Sequence, residues 1–221
     1  MKIISIEKVG RGDKFKISFD DERERVLSKD VVIDFGLRRH DEISEETLLK
    51  IQNSQLYHDV YSAAIRLLNY RLRTKREVVS RLRQKNFPTD VIDRVVKKLD
   101  SLRMIDDLRF AEAFVAEKIS SKPIGRRELE RRLFEKGVSK ETALQTISAL
   151  VDDSKQLELA LKAAQTKLRS LKKFASKRKR EKLASFLAGR GFDWDTIKRT
   201  VRDTIPEEDD LEGVSTNAGD L

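Results

Sequence analysis

The spacing of hydrophobic residues changes along this chain near residue 40. Within residues 14–19 (KFKISF), apolar side chains alternate with polar ones, which is the two-residue period of a strand with one buried face. We expect residues 31–33 (VVI) to form a further strand after a charged turn, and residues 10–13 (GRGD) to close the first hairpin. From Ser44 onward the period becomes three to four residues, as in amphipathic helices. The pattern predicts a small antiparallel sheet ahead of a mainly α-helical body.

One helix ending occurs three times in this helical body. Residues 125–138 (GRRELERRLFEKGV) end with a leucine, a glycine four residues later and an apolar residue directly after the glycine. That order fits a helix that closes through a left-handed glycine and folds the apolar residue back onto the leucine. The ending recurs 51 residues upstream, where asparagine replaces the glycine, and again 54 residues downstream. The three copies are Leu82, Asn86 and Phe87; Leu133, Gly137 and Val138; and Leu187, Gly191 and Phe192. The chain is therefore predicted to be a repeat array.

Apolar stripes between these endings predict three helices in each repeat. In the first repeat, a lead-in helix capped by Ser44 precedes a longer helix, and Thr74 and Thr89 are expected to cap the two that follow. The clearest stripe is Val91, Ile92, Val95, Val96, Leu99 and Leu102. The equivalent residues of the second repeat are smaller, namely Thr142, Ala143, Thr146, Ile147 and Leu150. The third repeat carries the stripe Leu157, Leu161, Ala164, Leu168 and Leu171.

These patterns divide the chain into five parts. We predict a β subdomain over residues 1–40, helical repeats over 41–105, 106–152 and 153–205, and a disordered acidic tail over 206–221. A small sheet is marginal alone, so the β subdomain is expected to lean on the helices behind it. It could stabilise the end of the array or bind a partner, and the residues leave both open.

Composition supports thin stacked helices and a partner of negative charge. Charged residues make up 38% of the 221 positions and aromatic residues 6%, which is unusually polar for a single thick globule. Six acidic residues and no basic ones follow Ile205, so residues 1–205 carry a formal charge of +15. Nucleic acid is the expected partner ahead of a membrane surface. Cysteine is absent, which excludes disulfides, and no apolar segment is long enough to cross a bilayer, so we expect a cytoplasmic protein.

The basic residues concentrate at one place in each repeat: the end of its first helix, the following turn and the start of its second helix. We take twelve of them as candidate contacts with a partner. They are Arg71, Arg73, Lys75 and Arg76 in the first repeat; Lys122, Arg126, Arg127 and Arg131 in the second; and Lys177, Arg178, Lys179 and Arg180 in the third.

The helix dipole separates these cations into two groups. Arg71 and Arg73 follow a helix end, where positive charge is favourable, so stability alone could explain them. A cation at the start of a helix instead costs roughly 0.3 to 1 kcal/mol at low salt. A phosphate backbone reverses that sign, because free N–H groups and a nearby arginine both attract a phosphate oxygen. We expect contact with a DNA backbone or an acidic protein groove at these junctions, and a merely solubilising face is the alternative.

Phe134 lies off the buried stripe of its helix. Leu129 and Leu133 face the core, whereas Phe134 shares the opposite side with Arg127 and Arg131. We expect Phe134 to pack against a neighbouring element of the chain. Stacking on a base or on a partner surface is the alternative.

The sequence shows no active site. The two histidines, His40 and His58, have no ligand spacing around them, so no metal site is expected. Asp106 and Asp107 could resemble paired catalytic carboxylates, but aspartate at a helix entrance is ordinarily a cap. No glycine-rich phosphate loop is present, so neither a cofactor nor an enzymatic activity is expected.

Three segments resemble a known family, the RecX regulatory proteins of bacterial recombination. Residues 107–115 (DLRFAEAFV) are similar to its D-x-x-[FY]-A-x-x-[FY] segment, and residues 125–138 to its G-x-R-x-[IL]-x-x-x-L-x-x-K-G-[IV] segment. Residues 76–87 resemble the version in the first repeat, with Asn86 in place of the usual glycine. The resemblance covers about residues 37–205 and says little about the sheet or the tail.

The resemblance implies three tandem three-helix repeats in an elongated, curved array without catalytic activity. Members lodge in the helical groove of the RecA filament on single-stranded DNA and restrain its ATP hydrolysis, strand exchange and co-protease activity. This implies a role in recombination, DNA repair and the SOS response, with RecA and single-stranded DNA as partners and the protein expected to be a monomer. The residues alone leave open a general DNA-binding protein that grips single or double strands without RecA.

Overall fold

The structure, a computed structural model, describes residues 1–206, so the predicted tail beyond Pro206 lies outside the described residues. The chain divides into two compact units, Met1–Ile105 and a second that begins at Asp106. Ten helices and one three-stranded sheet occur within the described residues. The mainly α-helical fold with a small N-terminal antiparallel sheet is as predicted.

The sheet consists of β1 (Ile3–Lys8), β2 (Lys14–Phe19) and β3 (Glu24–Ser28), which pair antiparallel in chain order. The predicted alternation in β2 is confirmed, because Ile17 is fully buried and faces the same core as Phe19. The predicted turn at residues 10–13 also closes the β1–β2 hairpin, with Gly10 at φ 62°. Ile3 fills the same core from β1.

The predicted strand at residues 31–33 is wrong. These residues lie in the short helix α1 (Lys29–Asp34), and the third strand, β3, lies in the segment that we interpreted as a charged turn. In α1 Val31 is fully buried while Ile33 is 61% exposed, so one face of a helical turn meets the core. A run of three β-branched residues is too short for its period to distinguish a strand from a helical turn.

The first unit continues with α2 (Glu45–Tyr70), α3 (Lys75–Arg83) and α4 (Thr89–Ser101). The predicted lead-in helix and the longer helix after it are one continuous helix, α2. Ser44 and Thr74 cap their helices as predicted, each accepting a hydrogen bond at 3.1 Å from the backbone N–H three residues later. Thr89 does not cap α4, because Pro88 occupies the N-cap position. The predicted α4 stripe is buried except for Leu102, which lies beyond the helix end.

The second unit contains six helices that share one hydrophobic core. They are α5 (Asp107–Ser121), α6 (Arg126–Lys136), α7 (Lys140–Leu150), α8 (Asp153–Leu171), α9 (Ser176–Gly189) and α10 (Trp194–Thr204). The predicted stripe on α8 is partly wrong, because Leu159, Ala160 and Ala163 are buried more deeply than Leu157 and Leu161. Since α8 packs against both α9 and α10, it buries a wider and differently centred face than a single stripe.

The predicted left-handed helix endings are present. Gly137 has φ 89° and Gly191 has φ 80°, and Asn86 takes the same region at φ 61° in the first repeat. The N–H of Val138 donates to the Leu133 carbonyl at 3.0 Å, which folds the apolar residue back onto the leucine.

The start of α6 is closed by the end of α9. The N–H of Gly125 donates to the Arg190 carbonyl at 2.9 Å, and the N–H of Arg127 donates to the Gly191 carbonyl at 3.2 Å. The two backbones approach so closely that a Cβ on Gly125 would lie 2.2 Å from the Gly191 oxygen, and one on Gly191 would lie 2.4 Å from the Glu128 nitrogen. Two unsatisfied helix ends therefore satisfy each other, and the contact requires glycine on both sides.

We predict that Gly125→Ala and Gly191→Ala each destabilise the protein by about 1 to 3 kcal/mol or more, since the added methyl group would force two backbones apart. Gly189→Ala is the matched control. A Cβ at Gly189 meets nothing within 4 Å, and alanine should stabilise that helical position by up to about 1 kcal/mol. Urea denaturation followed by far-ultraviolet circular dichroism measures all three. Wild-type stability of Gly125→Ala would contradict the contact.

Asp193 joins the start of α10 to α8. Its carboxylate accepts hydrogen bonds from the Thr196 N–H at 2.8 Å and from Nε2 of the buried Gln156 at 2.9 Å. Partial burial pushes the pKa of Asp193 upward, but these hydrogen bonds outweigh it and lower the pKa to about 2. The ionised carboxylate therefore stabilises the folded state.

The lowered pKa of Asp193 predicts that the folded protein loses stability in acid. Because the folded pKa of about 2 lies below the ordinary value, the stability contributed by Asp193 is present above about pH 4 and is lost as pH falls towards 2. Asp193→Asn keeps the cap and should reduce this pH dependence, whereas Asp193→Ala should cost about 1 to 2 kcal/mol at pH 7. Urea midpoints at pH 7, 4 and 2.5 test both. Equal acid sensitivity in the Asn variant and the wild type would contradict the assignment.

Candidate nucleic-acid and protein interface

The candidate cations of the first repeat differ in how far the fold already uses them. At the end of α2, Arg71 Nη1 donates to the Leu72 carbonyl at 2.8 Å and to Glu77 Oε2 at 3.0 Å. Arg73 is half-buried, its Nε donates to the Leu67 carbonyl at 3.0 Å, and burial lowers the pKa of its guanidinium. These two arginines hold the α2–α3 turn in place.

The two cations in the first turn of α3 are exposed. Lys75 forms an ion pair with Asp100 on α4 at 3.0 Å. The Arg76 side chain has no hydrogen bond or ion pair within the described part of the chain. Arg76 is thus the cation of this junction that is open to a partner.

Arg126 has a structural role at the start of α6. Its Nε donates to the Val151 carbonyl at 2.7 Å, and its Nη1 donates to Asp153 Oδ1 at 2.8 Å. Arg126 therefore ties the start of α6 to the link between α7 and α8. The prediction that a cation at this helix start has no stabilising role is wrong for Arg126, because a carboxylate and a carbonyl distant in the sequence offset the helix dipole.

Arg131 is paired within its own helix. It forms ion pairs with Glu128 and Glu135 of α6, and Arg132 also bonds to Glu128 at 2.6 Å. The hydrogen bond from Arg131 lowers the pKa of Glu128 to about 2, against the opposing effect of burial. Much of the Arg131 charge is thus compensated locally.

Arg127 and Phe134 are exposed on one side of α6. The Arg127 side chain has no partner within residues 1–206, although its backbone N–H bonds to Gly191. Phe134 is 66% exposed, so the prediction that it packs against a neighbouring element is wrong. Residues seven apart lie on the same side of a helix, and with Arg131 between them these residues form what we call the α6 outer face.

The start of α9 is the most basic helix start among the three junctions. Lys177, Arg178, Lys179 and Arg180 lie in or next to its first turn, which contains no acidic residue, and the N-cap Ala175 provides no side-chain hydrogen bond. Arg180 donates to the Pro206 carbonyl at 3.3 Å, and the Arg178 guanidinium lies 5.6 Å from the Phe174 ring centre. Lys177 is exposed, as is Lys122 at the end of α5.

A group of aromatic and basic residues that was not predicted from the sequence lies beside this helix start. Cations lie over the rings of Phe174 and Phe186, and they come from both α8 and α9. Part of the signal was present, because five of these residues recur every four positions: Phe174, Arg178, Lys182, Phe186 and Arg190. Lys167 on α8 has no such sequence signal, since only the packing of α8 on α9 brings it to Phe186.

No cluster of three or more potential metal ligands occurs in residues 1–206, and no helix there is long and apolar enough to cross a membrane. His58 Nδ1 lies 3.8 Å from Asp30 Oδ2, and His58 Nε2 lies 3.9 Å from Asp34 Oδ2, so the imidazole lies between two carboxylates.

Family models place all three helical repeats. The RecX first three-helix domain matches residues 61–99, the second matches residues 106–147 and the third matches residues 154–201. The chain belongs to the RecX family.

Individual RecX proteins are similar over most of the chain. Regulatory protein RecX of Bacillus velezensis is 31% identical over 198 residues, which cover 90% of this chain and 75% of the relative. That of Chlorobium phaeobacteroides is 39% identical over 141 residues, covering 64% of this chain and 90% of the relative.

Solved RecX structures have the same fold. A crystal structure of regulatory protein RecX superimposes with a TM-score of 0.79 at 24% identity, covering 91% of this chain and 98% of the other. The crystal structure of RecX from Lactobacillus salivarius superimposes with a TM-score of 0.64 at 26% identity, covering 68% of this chain and 97% of the other.

We predict that the two adjacent arginines at the start of α6 differ in their effect on stability. Arg126→Ala removes hydrogen bonds to Val151 and Asp153 and should cost about 1 to 2 kcal/mol. Arg127→Ala is the matched control and should change the unfolding free energy by less than about 0.5 kcal/mol. Chemical denaturation at pH 7 measures both, and equal losses would contradict the division.

Proposed function

We propose that this chain is a non-enzymatic regulator that binds the RecA filament on single-stranded DNA. It restrains RecA's ATP hydrolysis, strand exchange and co-protease activity, and so acts in recombination, DNA repair and the SOS response. The observation that carries the proposal is the match of three RecX domains in order across residues 61–201, together with relatives named as regulatory proteins. We further propose that it acts as a cytoplasmic monomer.

The exposed cations support a polyanionic target. Arg76, Arg127 and Lys177 each lie in the first turn of the second helix of a repeat, and none has a side-chain partner within the described residues. Positive charge at a helix start is unfavourable in the free protein, and a bound phosphate or carboxylate removes that cost. Arg71, Arg73 and Arg126 contribute by holding the junctions that present these cations.

The α6 outer face supports a protein contact. An exposed phenylalanine beside an exposed arginine has the composition of an interface centre, because aromatic residues and arginine carry much of the binding energy in protein complexes. Arg131, compensated by two carboxylates, suits the polar rim of such a contact. We therefore assign the α6 outer face to RecA.

The direct test is RecA's DNA-dependent ATP hydrolysis in the presence of substoichiometric amounts of this protein. We expect a concentration-dependent fall in the rate with single-stranded DNA as the activator, and a parallel fall in strand exchange. Unchanged ATP hydrolysis and strand exchange would contradict the proposed function.

Variants test the assignment of the α6 outer face. Arg127→Glu combined with Phe134→Ala should weaken inhibition of RecA about tenfold or more, because an interface arginine and aromatic anchor are lost together. Lys140→Glu is the matched control, since it reverses an exposed cation in the first turn of α7 in the same unit. Circular dichroism should show unchanged helical content in both. Equal inhibition by the two variants would place the RecA contact elsewhere.

A general DNA-binding protein that acts without RecA is the second candidate, and the charge of +15 on residues 1–205 favours it. Binding to RecA-coated and bare single-stranded DNA, and to duplex DNA, should be compared across salt concentrations. Equal affinity for coated and bare DNA, with a steep fall as salt rises, would favour this candidate.

A further inference from the structure

A groove of about 760 Å³ lies between α8 and α9 and combines aromatic rings with positive charge. Phe174 and Phe186 line it together with Lys167, Arg178 and Lys182. The hydroxyls of Ser170 and Ser185 add neutral polar groups. Of the described residues that line it, one, Glu181, carries a carboxylate. The groove is thus a basic channel with two partly exposed phenyl rings.

Each ring has two cations close to it. Lys182 Nζ lies 4.9 Å from the Phe174 ring centre and the Arg178 guanidinium 5.6 Å. The Arg190 guanidinium lies 4.5 Å and Lys167 Nζ 5.4 Å from the Phe186 ring centre. A hydrogen bond also holds the Arg190 side chain in place, because its Nη1 donates to the Pro123 carbonyl at 2.9 Å. The cation–π contacts hold positive charge at the rings in the free protein. A lysine that moves from a ring face to a phosphate leaves that face open to a base.

We propose that the α8–α9 groove binds single-stranded DNA, with unpaired bases stacking on Phe174 and Phe186 and phosphates contacting Lys167, Arg178 and Lys182. The inference deepens the proposed function and rests on it in taking single-stranded DNA as the polymer that the protein meets. It adds a site for the strand that is separate from the RecA contact on α6.

The composition of the groove favours a single strand over two other occupants. An electrostatic channel with aromatic platforms is how proteins bind unpaired nucleic acid, since every base has a face that can stack. A duplex offers phosphates but keeps its bases paired and stacked, so the two rings would have no partner. An acidic protein segment would satisfy the cations but has no general need for two stacking rings.

The test measures binding of a fluorescein-labelled thymidine 30-mer by anisotropy, without RecA. Phe174→Leu with Phe186→Leu removes both stacking faces while retaining apolar bulk for the core. We expect affinity to fall about tenfold or more. Trp194→Leu is the matched control, because it removes an exposed ring of the same unit outside the groove, and it should bind like the wild type.

A second pair of variants keeps the test decisive if the double leucine variant folds poorly. Lys167→Gln and Lys182→Gln should each lower the slope of log affinity against log salt by about 0.7, the value for one phosphate contact on a single strand. Lys97→Gln on α4 is the control for charge, since it removes an exposed cation in the first unit and should leave the slope unchanged. Thermal melts establish that each variant is folded.

Four outcomes would overturn the groove proposal. These are wild-type binding by a folded double leucine variant, unchanged salt slopes in both lysine variants, equal affinity for a blunt duplex of the same length, and equally effective competition by polyglutamate, which would indicate an acidic protein as the occupant. RecA's ATP hydrolysis is measured separately with wild-type protein. Loss of binding to bare single strands in the variants, with no effect of the wild-type protein on RecA, would support the groove proposal and contradict the proposed function. Unchanged binding to bare single strands in the variants, with inhibition of RecA by the wild-type protein, would contradict the groove proposal and support the proposed function.

Discussion

The close backbone contact between Gly125 and Gly191 is the interaction on which the second unit depends. Helices begin with free N–H groups and end with free carbonyls, and both are costly when buried without partners. Here the carbonyls at the end of α9 accept from the N–H groups at the start of α6, which joins the second and third repeats through the backbone itself. The contact fixes the start of α6, where Arg126 bonds to Val151 and Asp153 and from which the α6 outer face extends.

The same contact makes the start of α6 chemically different from the start of α9. The backbone amide of Arg127 is occupied by Gly191, so only its side chain is open to a partner. The α9 start has no side-chain cap and no acidic residue in its first turn. The repeat is thus a common scaffold whose junctions have diverged, with the α6 side presenting an arginine and a phenylalanine and the α9 side presenting cations beside an aromatic groove.

Local signals in the sequence predicted local structure well. Gly137, Asn86 and Gly191 were expected to be left-handed from the residues around them, and the caps Ser44 and Thr74 from their own chemistry. The strand expected at residues 31–33 was wrong because three β-branched residues carry too little periodicity. Features that depend on packing were out of reach: the carbonyl that occupies Arg126 lies 25 residues away, and nothing near Phe134 in the sequence shows that its ring remains exposed.

Helix α2 has a consequence for how the first unit folds. Its first turns place Leu48 and Ile51 in the core beneath the sheet, and its later turns place Val60 and Ala64 in the core of the first repeat. One unbroken helix of about 39 Å therefore belongs to two cores, at about 1.5 Å per residue. Opening either core would expose apolar residues of the helix that the other core needs ordered. The sheet and the first repeat should consequently gain and lose their structure together, as one cooperative folding unit rather than as an appendage on a separate domain.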